Sequence, residues 1–83
     1  MKKLSKETAE RLIAAGYTHI TAIVRRYYFT NYVKCEPIEQ VAKYGYMSKT
    51  ARSCKGYAVG INENHIPAEF KCIRYMDAVN FKG

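Results

Sequence analysis

The 83-residue chain carries 14 Lys and Arg against 7 Asp and Glu, giving a net charge of +7 and a pI near 9.5, with 48% apolar residues and two prolines. These values describe one folded domain spanning 1–83, exclude a multidomain or disordered architecture, and point to anionic partners: nucleic acid first, then an acidic protein surface, then an anionic membrane. No stretch approaches the ~20 apolar residues that a membrane span needs.

In chain order, the first predicted element is a helix from Ser5 to Ala15. Ser5 can cap it, Glu7 and Glu10 sit where the helix dipole favours anions, Ala9, Leu12 and Ile13 share a face, and Gly16 offers a left-handed stop. From Tyr17 to Val33 the chain is rich in β-branched and aromatic residues, which predicts one long or bent strand. Ile20, Ile23, Val24, Tyr27 and Asn31 also fall at helical spacing, but the composition favours the strand.

Pro37 suits the first position of a short helix carrying Ile38, Val41 and Ala42 on its apolar stripe, and Gly45 ends it. Tyr46 to Lys55, polar and basic with no clear period, reads as a loop or a ragged turn of helix. Gly56 to Ile61 alternates as a strand, Asn62 to Pro67 is turn-rich, and Phe70 to Met76 makes a second strand, which together predict a hairpin. The tail from Asp77 finishes as a helical turn or an extended end. The fold class expected is α+β: an N-terminal helix packed on a small, about three-stranded antiparallel sheet, with a short second helix after Pro37.

Function is carried by a basic, tyrosine-rich belt. Between Arg11 and Ile61 lie eight of the 14 Lys and Arg and seven of the eight tyrosines, with Glu36 and Glu39 the only acids. The densest part runs from Arg25 to Lys34. On a strand of period two, Arg26, Tyr28, Tyr32 and Lys34 share one face, while Arg25, Tyr27, Phe29 and Val33 take the other. Cations that track phosphates beside rings on which any base can stack suit single-stranded nucleic acid. Arg25, Arg26, Tyr28, Tyr32 and Lys34 are therefore the expected contacts. Lys43, Lys49, Arg52 and Lys55, interleaved with Tyr44, Tyr46 and Tyr57, support them from a second basic stretch.

Ile38–Lys43 resembles the first helix of a helix-turn-helix motif, and Met47–Arg52 the start of its recognition helix, with Ala42 and Ser48 spaced as in many repressors. The resemblance spans about fifteen residues. It departs where the turn glycine arrives one place early, at Gly45, and where Gly56 cuts the second helix short.

Cys35, Cys54 and Cys72, with His65, could supply metal ligands, but no two lie in a tight knuckle, so reduced, buried thiols and no metal or other cofactor are expected. His19 and His65, with nearby Lys and Tyr, could form an acid–base pair for metal-free RNA cleavage, but two histidines in 83 residues need no such explanation, and no paired carboxylates, nucleophile triad or phosphate loop is present, so an enzyme is not expected. The basic start meets Glu7 and Glu10 before any apolar run, which fits a cytoplasmic protein with no membrane role. A core this small, with an open sheet edge, makes a homo-oligomer the expectation. The alternative function is a small protein-interaction module or inhibitor, of the kind phages encode, docking on an acidic site of a host enzyme or defence protein, since Tyr and Arg also dominate protein interfaces.

Overall fold

The computed structural model describes residues 2–25, 31–47, 59–60 and 66–83, the side chains of 24, 25, 31, 32, 59 and 60 excepted. Helix α1 (Lys6–Ala14) begins where Ser5 accepts a 3.1 Å hydrogen bond from the Thr8 amide. An ion pair of 2.6 Å joins Glu7 to Arg11 one turn later. The helix ends as its glycine suggests: Gly16 takes φ +99°, and the Gly16 and Tyr17 amides donate back to Ile13 and Leu12, closing a Schellman motif.

Strand β1 (His19–Arg25) then pairs antiparallel with β2 (Asn31–Pro37), from His19 opposite Pro37 to Arg25 opposite Asn31. The single strand expected from Tyr17 to Val33 is thus two strands that turn back on each other. Continuous β propensity conceals the break, because no Gly or Pro marks residues 26–30.

Pro37 hands β2 directly to helix α2 (Ile38–Tyr44), with Gly45 in the left-handed region at φ +84° and its amide donating to Val41. Strand β3 (Val59–Gly60) lies beside β2, and β4 (Cys72–Arg74) runs parallel to β1, so the described strands are ordered β3-β2-β1-β4. The expected hairpin between the two C-terminal strands is corrected: they sit at opposite edges, each paired with a central strand. The sheet is therefore mixed. Helix α3 (Tyr75–Val79) follows β4 at once, in place of the last residues of the strand expected to reach Met76. The fold remains α+β, an N-terminal helix with a small sheet and further short helices.

The core lies between the helices and one sheet face. Leu4, Ala9 and Leu12, Ile20 of β1, Ile38 and Val41 of α2, and Tyr75, Ala78 and Val79 of α3 are buried together. Each large aliphatic side chain removed from water contributes about 1.5–3 kcal/mol before the entropy of ordering is set against it. Registry places Lys34 and Glu36 on the same sheet side as Ala22 and Ile20. The other side carries His19, Thr21, Ile23, Val33, Cys35, Cys72 and Arg74.

Candidate nucleic-acid interface

The C-terminal end of α2 gathers cations and rings in water. Tyr44 is 56% exposed and Tyr46 is 43% exposed, one on each side of buried Gly45. The Lys43 ammonium lies 5.5 Å from the centroid of the Tyr44 ring, within cation–π range. The sequence places the three residues here because the left-handed turn at Gly45 stops the helix and sends the next residue out of its spiral. Lys43 also sits in the last turn, where a cation complements the helix dipole.

The N-terminal segment completes the cluster. The Leu4 amide donates to the Gly45 carbonyl at 2.8 Å, and the Lys3 stem passes so close to Gly45 that a Cβ there would collide with it. The Tyr75 hydroxyl, from below, donates to the Lys2 carbonyl at 2.6 Å and lies 3.3 Å from the Gly45 carbonyl. Burial, and then the nearby Tyr46, push the Tyr75 hydroxyl above the usual tyrosine range, so it stays a hydrogen-bond donor at neutral pH. Lys2 reaches the other way, to Asn80 at 3.0 Å. Exposed Lys3 and Lys43 thus lie at the turn that carries the two exposed tyrosines, and residues 40–47 contain no acid. The acid closest along the helix is Glu39, one turn before Lys43.

The sequence-predicted contacts fare differently. Lys43 is exposed and central to the cluster. Lys34 is 0% exposed, so it is corrected from a surface phosphate contact to a buried side chain: β2 is an inner strand, covered on both faces from Val33 to Glu36. Arg25 and Tyr32 stand opposite Asn31 and Val24 near the turn end of the β1–β2 pair, by backbone registry alone. Arg26, Tyr28, Lys49, Arg52 and Lys55 lie outside the described residues, as does most of the second helix of the helix-turn-helix resemblance. Lys3 is the contributor that sequence reading missed, since nothing local signals that residue 3 meets residue 45.

The far sheet face carries a second feature. An open groove of about 400 Å³ is lined by Thr21, Pro67, Phe70, Cys72 and Arg74, among others. His19 stacks on Phe70, the ring centroids 3.6 Å apart and nearly parallel, and its Nδ1 lies 2.7 Å from Thr18 Oγ1. Burial holds the imidazole below its ordinary pKa, against the opposing pull of Glu39, which keeps it neutral at pH 7. His65, its suggested acid–base partner, lies outside the described residues. Among the described residues no group of three or more His, Cys, Asp or Glu could hold a metal ion, and no helix is long and apolar enough to cross a membrane.

Comparison with protein-family models, curated proteins and solved structures finds no match.

Proposed function

We propose that this chain binds single-stranded nucleic acid, RNA or DNA, largely irrespective of sequence. The observation that carries the proposal is the end of α2, where Tyr44 and Tyr46 face solvent with Lys3 and Lys43 beside them. A base stacks on an exposed ring whatever its identity, and the flanking ammonium groups neutralise the phosphates on either side. Nothing in this chemistry requires a cofactor or a catalytic step. Arg25, Arg26, Tyr28, Tyr32, Lys49, Arg52 and Lys55 are the further contacts that the sequence offers, and a homo-oligomer would multiply the basic surface. We place this activity in the cytoplasm.

The test is a titration of labelled single-stranded RNA and single-stranded DNA, with duplex DNA alongside, at two salt concentrations. Two to four phosphate contacts give a log–log salt slope of about −1.5 to −3 on single strands, and binding should favour single strands over duplex. Absence of binding at low salt, or a slope near zero, would overturn the proposal. That result would favour a protein-interaction module, which the exposure of Ile23 (70%) and Met76 (64%) supports independently.

A further inference from the structure

We propose, resting on the single-strand binding assigned to the end of α2, that the same surface continues along the N-terminal segment to Asn80 and Lys82. Its occupant is then a strand of about six nucleotides or more, lying across both ends of the chain.

Consecutive residues of the N-terminal segment reach in two directions. The Lys3 stem lies against Gly45 at the end of α2, whereas the Lys2 ammonium extends to Asn80, just beyond α3, and donates to its Oδ1 at 3.0 Å. Lys82 is exposed two residues further on, its Cα no more than about 7.6 Å from that of Asn80. Lys43, Lys3, Lys2 and Lys82 therefore set four exposed ammonium groups in succession from α2 to the C-terminal tail.

No carboxylate answers these four. Arg11, on α1, is paired with Glu7 at 2.6 Å, but none of the four makes an ion pair with a described residue. Lys2 is steered instead by a neutral amide. Asn80 accepts from it and, through Nδ2, donates to the Met76 carbonyl at 2.8 Å, which fixes the amide and leaves the ammonium charge uncancelled. An ammonium has three donors, so two remain for phosphate oxygens.

The path is fastened to the core before any strand arrives. The Tyr75 hydroxyl donates to the Lys2 carbonyl at 2.6 Å and lies 3.3 Å from the Gly45 carbonyl, to which the Leu4 amide donates at 2.8 Å. At the other end Phe81 packs edge-on against Tyr17, with ring centroids 5.9 Å apart, and anchors the tail between Asn80 and Lys82. Cations positioned in this way lose less conformational freedom on binding. Asp77, exposed in the first turn of α3 three residues before Asn80, opposes phosphate at that end, so its removal should strengthen binding.

The test follows the full chain by fluorescence anisotropy with labelled oligothymidylates, one of about three nucleotides and one of about ten, at two salt concentrations. The double variant Lys2→Ala, Lys82→Ala keeps the Lys2 carbonyl that Tyr75 holds. It should bind the long strand about tenfold more weakly and lower its log–log salt slope by about 1.4, two phosphate contacts at ~0.7 each. Binding of the short strand, which the end of α2 accommodates alone, should be unchanged. If Lys43→Ala weakens binding while the double variant holds the long strand like the unaltered chain, binding at α2 stands and its extension is overturned. If the unaltered chain binds neither strand, both fall together. Should the double variant lose its circular dichroism spectrum, Asp77→Asn decides: it should tighten the long strand about twofold, and an unchanged affinity would contradict the path.

Discussion

Strand β2 and the end of helix α2 each hold a lysine next to aromatic sequence, and the fold treats them oppositely. Lys34, from the denser basic-aromatic run, is enclosed in the sheet, while Lys43, from the thinner one, stands in water beside exposed Tyr44 and Tyr46. The difference is positional. An inner strand is covered on both faces, so alternation no longer separates a wet side from a dry one, whereas the last turn of a short helix beside a left-handed glycine has open solvent on one side. Density of charge in a sequence therefore says little about its exposure, and the contrast can be attacked from both ends.

The largest effect should come from Lys34→Ala, which empties a long, fully buried position. A loss of about 2–4 kcal/mol in denaturant unfolding is expected, with the nucleic-acid affinity of the molecules still folded unchanged. Lys43→Ala should show the reverse, weaker binding and a change in stability within about 0.5 kcal/mol. If both lysines affect only binding, the contrast between the two regions is lost.

Next in size, replacing Tyr44 and Tyr46 together with Ala should weaken single-strand binding by about 1–3 kcal/mol for each base that stacks, while the circular dichroism spectrum stays the same. An unchanged affinity would remove the stacking role and leave the lysines as solvated charges.

Gly45→Ala comes third. It forces a Cβ into the left-handed region at φ +84° and against the Lys3 stem, and should cost about 1–2 kcal/mol of stability. Because the same substitution displaces Lys3, binding should fall with it. Gly16→Ala is the control: its φ is also positive, but nothing lies within 4 Å of the added carbon, so only the backbone term applies and binding should hold.

The smallest effects are in pH. The pKa of His19 is held down by burial, so the unfolded chain binds the proton more readily; stability is full above the ordinary value of 6.5 and declines as pH falls through it. Tyr75 works at the other end. Its raised pKa means the folded chain keeps the proton longer, so stability is intact below the ordinary value of 10.0 and declines as pH rises beyond it. Thermal melts at pH 5, 7 and 10.5 should therefore be highest at pH 7. Tyr75→Phe should abolish the alkaline part and cost about 1 kcal/mol at neutral pH, because its hydroxyl ties Lys2 and Gly45 to the core.

The helices were legible because their ends are written locally: Ser5 with Thr8 at one start, Gly16 and Gly45 at the two stops, Pro37 leading into α2. The β1–β2 pair was only half legible. Its residues announce strand, but the reversal leaves no turn signature in the stretch from Arg26 to Thr30. Nothing local could reveal that β4 crosses to run parallel to β1, or that Lys3 meets Gly45 and Cys35 meets Cys72, since each contact joins residues at least 37 apart. The candidate site divides the same way. Lys43 could be read from charge and spacing, whereas the burial of Lys34 follows only from knowing that two further strands flank β2 and β1.

The most direct test is an NMR titration of the isotopically labelled chain with a short single-stranded oligonucleotide, following backbone amides at low salt. The expected result is a set of shifts concentrated at Lys3, Lys43, Tyr44, Gly45 and Tyr46, with Thr21 and Val33–Glu36 undisturbed. Shifts confined to the sheet residues, or none at all, would contradict the assignment of binding to the end of α2.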